Sequence, residues 1–220
     1  MIRLFLAPST AAMAPHILLE ELGVPFEKIL VDTERGDQRS EAYQRLNPNG
    51  RVPVLVDGDL VLYESAAICL HLCDAHPASG LAPAMGTTER AHFYKWLMWL
   101  TNTLQPTLMA YFYPHRWVAT GDEPAAAALK KQAELNVAPL LDQLDAELAG
   151  RALTSAESWL VGHQFSAVDA YALMLCRWTR HFTSVPARSR PHLGPYLQRV
   201  LARPAVLRVF AAEGLAQPWV

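Results

Sequence analysis

The chain has 220 residues, of which 51% are hydrophobic and 18% charged, enough for a substantial core in one or two domains. Its formal net charge of −2, without a basic run, argues against nucleic acid or an anionic membrane as a partner. No apolar run reaches the length of about 18 residues expected of a transmembrane helix, and Cys69, Cys73 and Cys176 are too few and too scattered for a disulfide framework. We therefore expect a cytoplasmic protein with buried, reduced thiols.

The first 77 residues predict a mixed α/β domain in the order βαβαββα. Asp57-Gly58 is a strong hairpin turn signal, and Ser65 is a plausible N-cap for the last helix. The predicted elements are strand Ile2–Leu6, helix Met13–Leu22, strand Phe26–Val31, one or two helical turns within Ser40–Leu46, strands Pro53–Val56 and Leu60–Tyr63, and helix Ser65–His76.

A Pro-, Gly- and Ala-rich stretch without periodicity follows, and we predict a linker over residues 78–87. Residues 88–220 carry only helical patterns, which predicts an all-α bundle as a second domain. Ser166 and Asp169 form a capping box at the head of an almost wholly apolar helix. The predicted helices are Thr88–Tyr113, Glu123–Ala149 with Asp122 as its cap, Ala167–Arg180, Gly194–Ala202 and Pro204–Ala212.

Two short motifs carry chemistry in the first domain. In GRVPVL, Pro53 lacks an N–H, so it fits only a strand start, an edge or a bulge. We place it at the start of its strand, with Val52 just before it. One hairpin later, Glu64 and Ser65 stand at the start of a helix. Unpaired N–H groups there hold a carboxylate well, and Glu64 can pair with an ammonium group.

Together with GHQFSAVDAYAL at 162–173, these motifs resemble the glutathione S-transferase superfamily, in the right order and over essentially the whole chain. The resemblance implies a thioredoxin-like domain over 1–77, a helical bundle over 88–220 and glutathione as co-substrate. The eight histidines show no HxH or HExxH spacing, so no metal is expected. The resemblance also implies that the capping box serves folding and has no part in the active site.

The resemblance further assigns contacts to glutathione. The bond between Val52 and Pro53 would be cis, so that the backbone of Val52 pairs with the cysteinyl residue of the tripeptide. Glu64 and Ser65 would hold the γ-glutamyl end, which carries an ammonium and a carboxylate on one carbon.

The resemblance places the thiol activator in the stretch Pro8 to Ala12. Ser9 falls where serine-type members carry their activator, with Thr10 as runner-up; both could instead cap the following helix. Ala11 stands where bacterial beta-type enzymes usually have a cysteine, which argues against thiol exchange through the protein's own sulfur.

Three further positions are assigned by the same resemblance. Arg35, with Arg39 as a nearby alternative, would meet the glycyl carboxylate, although solvated surface arginines explain the pattern equally well. Gln105 replaces a histidine of beta-type enzymes and could hydrogen-bond but not transfer a proton. Asn102 and Thr103 would reach the glutathione of a partner subunit.

An aromatic-rich set would form the pocket of the second substrate and suit a hydrophobic electrophile. The members of this set are Met13, Leu108, Tyr111, Phe112, Tyr113, Trp117 and Trp219.

The expected protein is thus a cytoplasmic, homodimeric glutathione transferase with a detoxification role, in which the glutathione thiolate attacks a small hydrophobic electrophile. Three alternatives stay open. One is an isomerase on the same fold, another is a glutathione-dependent disulfide or peroxide reductase, and the third is a non-catalytic binding protein.

Overall fold

The computed structural model describes residues 1–152, 159–184 and 186–220. The N-terminal domain is a four-stranded sheet flanked by helices, in the predicted order. Its elements are β1 (Ile2–Leu6), α1 (Met13–Leu22), β2 (Phe26–Leu30), α2 (Glu41–Gln44), β3 (Val54–Asp57), β4 (Leu60–Tyr63) and α3 (Ser65–Ala75).

The sheet has the strand order β2-β1-β3-β4. β1 runs parallel to β2, with Leu4 opposite Lys28, and antiparallel to β3, where Leu4 meets Leu55. The parallel pair needs a crossover, which α1 supplies, whereas the tight turn at Asp57-Gly58 joins the antiparallel pair β3 and β4.

In the C-terminal domain, the regular secondary structure of the described residues is helical. Its helices are α4 (Thr88–Trp99), α5 (Gln105–Phe112), α6 (Glu123–Ala152), α7 (Ala167–Trp178), α8 (Leu193–Leu201) and α9 (Pro204–Ala212). α7 is buried along almost its whole length, as its apolar sequence predicts.

The head of α7 carries the predicted capping box of Ser166 and Asp169. The fully buried Asp169 carboxylate accepts hydrogen bonds from the N–H groups of Leu160 and Ser166, from the Ser166 hydroxyl and from the Tyr196 hydroxyl, at 2.6–2.9 Å. The cap therefore also ties α7 to α8 and to the segment before it.

The long helix predicted over Thr88–Tyr113 is interrupted, and the prediction of one regular helix there is wrong. A π-helical turn at Leu100–Leu104 separates α4 from α5. Pro106 explains the interruption, because it has no N–H to donate to the carbonyl of Asn102, four residues earlier.

The two domains share one core. A single cluster of buried side chains contains Leu18 of α1, Leu72 of α3, Val168 of α7 and Val206 of α9. α1 packs on all three of these helices. The domains are consequently held as one unit, and a cleft remains between the loops at the strand ends and the helices α5 and α7.

Candidate active site

A cleft of about 600 Å³ lies between the two domains. We call its two sides the N-terminal wall and the C-terminal wall. The N-terminal wall consists of Ser9, Thr10, Ala11, Thr33, Gln38, Arg39, Asn47, Gly50, Arg51, Val52, Pro53, Glu64 and Ser65. The C-terminal wall consists of Gln105, Met109, Phe112, Tyr113, His115, Arg116, Trp178 and Arg180.

The loop between β1 and α1 gives its two hydroxyls different surroundings. Thr10 donates its hydroxyl hydrogen to the carbonyl of Ala7 at 2.6 Å and accepts from the N–H of Ala12 at 3.3 Å. Ser9 lines the cleft, and its hydroxyl makes no hydrogen bond within the described part of the chain. Ser9 is therefore the hydroxyl that can serve a ligand.

Ser9 is held in an unusual backbone conformation, with φ at 61°. Non-glycine residues rarely adopt the left-handed region unless neighbouring structure fixes them. The N–H of Ser9 donates to the carboxylate of Glu213 at 2.8 Å, across the domain boundary. The other oxygen of Glu213 lies 2.8 Å from Nδ1 of the buried His16 on α1. Sequence reasoning missed Glu213, because it lies 204 positions from Ser9.

The entrance of β3 presents free backbone to the cleft. The peptide bond between Val52 and Pro53 is cis, and Val52 lies outside the ladder that begins at Val54. The carbonyl of the preceding Arg51 accepts hydrogen bonds from the Tyr43 hydroxyl at 2.9 Å and the Asn47 amide at 2.7 Å. These two bonds fix the chain just before the strand. The backbone of Val52 itself makes no hydrogen bond with any described residue.

The start of α3 also faces the cleft. Glu64 has a positive φ of 73° and an exposed side chain, and the helix begins at Ser65. The prediction that Ser65 caps α3 is wrong, because its hydroxyl donates to the carbonyl of Ala11 at 2.8 Å instead. The first N–H groups of α3 thus keep no side-chain cap and remain available to an anion.

The two candidate arginines differ in position. Arg39 lines the cleft, whereas Arg35 is exposed and does not belong to either wall. Asn102 and Thr103 lie in the π-helical turn outside the cleft lining, with Asn102 exposed.

The C-terminal wall is aromatic and cationic. Phe112 and Trp178 meet edge to face with their ring centroids 6.2 Å apart, and the guanidinium of Arg116 lies 3.9 Å from the ring centroid of Tyr113. At the floor, Gln105 accepts the hydroxyl hydrogen of Tyr171 at 2.7 Å. That bond fixes the amide of Gln105.

Several predicted pocket residues lie elsewhere. Met13 and Leu108 are fully buried in the shared core, so they cannot contact a ligand in the cleft. Tyr111, Trp117 and Trp219 are also outside the cleft lining. Only Phe112 and Tyr113 of the predicted set belong to it, because helical spacing identifies an apolar face without showing which residues reach the open end.

The chain's own thiols take no part in the cleft. Cys69, Cys73 and Cys176 are buried and unpaired with one another. Burial raises the pKa of each thiol, to about 12 for Cys73 and Cys176 and well above the usual value for Cys69. These sulfurs are therefore protonated at neutral pH and poor nucleophiles.

Within residues 1–152, 159–184 and 186–220, no group of three metal-ligating side chains is found. In the same residues, no helix combines the length and the apolar character needed to cross a bilayer.

Comparison with known proteins identifies the family. Residues 8–75 match the N-terminal domain of glutathione S-transferases, and residues 100–204 match the C-terminal domain. Glutathione S-transferase GST-4.5 of Xanthomonas campestris is 30% identical over 97% of this chain and 99% of its own length. The chain belongs to the glutathione S-transferase family.

Solved glutathione S-transferases agree with this assignment. The bacterial beta class enzyme of Sphingomonas chungbukensis is 32% identical, with a TM-score of 0.79 over 97% of this chain and 100% of its own. A sphingomonad glutathione S-transferase complexed with glutathione is 34% identical, with a TM-score of 0.79 and the same coverage. The fold predicted from the motifs is thus confirmed.

Proposed function

We propose that this glutathione S-transferase binds glutathione along the N-terminal wall and uses its thiolate to attack an electrophile held by the C-terminal wall. The observation that carries the proposal is the meeting of three features in one cleft. These are the free Ser9 hydroxyl, the unpaired backbone of Val52 and the uncapped start of α3 at Ser65.

Each part of glutathione has a complementary partner in this wall. The cysteinyl backbone would add a short strand at Val52, beside Pro53. The γ-glutamyl carboxylate would accept from the first N–H groups of α3, and its ammonium would meet Glu64. The glycyl carboxylate would meet Arg39, which lines the cleft, rather than Arg35, which does not.

Ser9 would stabilise the thiolate by donating its hydroxyl hydrogen to the sulfur. Lowering a thiol pKa by about two units requires about 3 kcal/mol. A hydrogen bond to a charged group contributes about 1.5–3 kcal/mol, so one hydroxyl supplies most of the effect. Thr10 is less suited, because its hydrogen is donated to Ala7. Gln105 would act as a hydrogen-bonding group at the floor, without proton transfer.

The proposal includes a homodimer in the cytoplasm with a role in detoxification. Support for self-association comes from exposed apolar side chains on β4 and α4, where Leu60, Val61, Tyr94 and Met98 face solvent. Size-exclusion chromatography with light scattering would test the dimer, and a monomeric mass at micromolar concentration would contradict it.

Turnover and binding measured side by side test the activity. Glutathione would be offered with an aryl halide, a hydroperoxide and a mixed disulfide, and a glutathione binding isotherm would be recorded for the same preparation. We expect turnover with the aryl halide above the uncatalysed rate. Binding without turnover in all three assays would point to a binding protein, and absence of glutathione binding would overturn the proposal.

A further inference from the structure

The cleft carries more positive charge than glutathione uses. Arg39 and Arg51 belong to the N-terminal wall, and Arg116 and Arg180 to the C-terminal wall. Among the described lining residues, Glu64 is the only carboxylate that faces these four arginines.

Four arginines and one glutamate give the lining a formal charge of +3, and the thiolate form of glutathione, at −2, offsets two of these three charges. This form carries two carboxylates, one ammonium and the sulfur. In the binding mode proposed above, Glu64, the start of α3, Ser9 and Arg39 meet all of these groups from the N-terminal wall. Arg116 and Arg180, on the opposite wall, take no part in that mode.

The arginines of the C-terminal wall also lack acidic partners in the protein. In the described part of the chain, neither Arg116 nor Arg180 lies within ion-pair distance of a carboxylate. Arg180 donates to the carbonyl of Arg177 at 3.2 Å, and burial lowers its pKa. Because a partly buried cation without a partner is unfavourable, its presence at a cleft wall indicates that a ligand supplies the negative charge.

The surroundings of these arginines define the rest of the ligand. Phe112 and Trp178 present apolar ring surface on the same wall, and Arg116 is stacked on Tyr113 at 3.9 Å. A flat ring would pack against the aromatic side chains while its acidic substituent reached a guanidinium, which suits planar, bidentate recognition of a carboxylate.

We infer that the second substrate is an aromatic electrophile bearing a carboxylate, with the ring on Phe112 and Trp178 and the carboxylate on Arg180 and Arg116. The inference rests on the proposed function and adds a negative charge to the small hydrophobic electrophile expected from the sequence. With an activated aryl chloride, the glutathione sulfur forms a bond to the ring carbon, and the carbon–chlorine bond breaks. Chloride leaves with the bonding pair, and the thiol proton goes to solvent.

A matched pair of substrates tests the charge. 4-Chloro-3,5-dinitrobenzoate and its methyl ester differ only in the carboxylate, and each kcat/KM is divided by the uncatalysed rate with glutathione. We expect the carboxylate to be preferred by the natural protein. Arg180→Gln should reduce that preference about tenfold or more, the effect of losing a charge-assisted hydrogen bond, and Arg116→Gln should reduce it less.

The control is Arg45→Gln, which alters an exposed arginine paired with Glu41 outside the cleft and should leave both rates unchanged. Equal use of the two substrates, or an equal loss for both in Arg180→Gln, would overturn the inference and leave the transferase function standing.

Binding of the two glutathione conjugates, measured by quenching of tryptophan fluorescence, gives a readout that does not depend on turnover. Tighter binding of the carboxylate conjugate, lost in Arg180→Gln, would support the inference even if neither chloride were turned over. In that outcome the proposed function, and not the charge recognition, would fail.

Discussion

The two walls of the cleft are built in different ways. The N-terminal wall offers backbone groups, at Val52 and at the start of α3, together with the side chains of Ser9, Arg39 and Glu64. The C-terminal wall offers side chains from α5, the turn after it and the end of α7, which are about 70 positions apart in the chain. A backbone group keeps its hydrogen-bonding character whichever side chain is substituted, whereas a site made of side chains can change its ligand by substitution. We therefore expect substitutions in the C-terminal wall to change the choice of second substrate with little effect on glutathione binding.

Asp169 anchors the head of α7, whose other end carries Trp178 of the C-terminal wall. Of the substitutions considered, its removal should have the largest effect on stability. Asp169→Ala leaves four buried donors without their acceptor, which should lower the free energy of unfolding by about 3–5 kcal/mol. Chemical denaturation would measure it. Ser166→Ala, which removes one of the donors, serves as the milder comparison, with a loss of about 1 kcal/mol. A loss below 1 kcal/mol for Asp169→Ala would mean that the carboxylate does not anchor α7.

Ser9→Ala should separate chemistry from binding within the N-terminal wall. We expect kcat to fall about 100-fold, since one hydrogen bond to the charged sulfur is worth about 1.5–3 kcal/mol. The glutathione Kd should stay within about threefold. Thr10→Ala is the matched control, because its hydroxyl bonds the loop rather than facing a ligand. If Thr10→Ala lost more turnover than Ser9→Ala, the activator would be Thr10.

Glu213 ties the C-terminal domain to the N-terminal wall, because its side-chain carboxylate accepts a hydrogen bond from the N–H of Ser9. In Glu213→Ala, Ser9 loses the acceptor of its N–H, and we expect kcat to fall about tenfold. The pKa of the bound glutathione thiol, followed by ultraviolet absorbance of the thiolate, should rise as the hydroxyl loses its position. Glu213→Gln keeps an acceptor for the N–H of Ser9, so its kcat should lie between those of the natural protein and Glu213→Ala. A change in stability with an unaltered thiol pKa would leave Glu213 a purely structural residue.

The three cysteines lie outside both walls and should not react with thiol reagents in the folded protein. At pH 8 a thiol-reactive disulfide should label none of them in the folded protein and all three after denaturation, because burial keeps their pKa values high. Unfolded thiols ionise above about pH 8.5, whereas Cys73 and Cys176 ionise near pH 12 when folded. Unfolding then releases protons, so stability should fall as pH rises through this window. Rapid labelling of the native protein would contradict the buried state.

The sequence by itself determined the order of the elements, the two-domain plan and the segments that form the N-terminal wall. These depend on local chemistry, in which an X–Pro step, a hairpin turn or a helix start acts over a few residues. Only the tertiary structure decided which aromatic residues reach the cleft, that Arg116 and Arg180 stand beside them, and that Glu213 holds Ser9. Such contacts join positions far apart in the chain, and a periodic apolar pattern marks a buried face without showing what it faces.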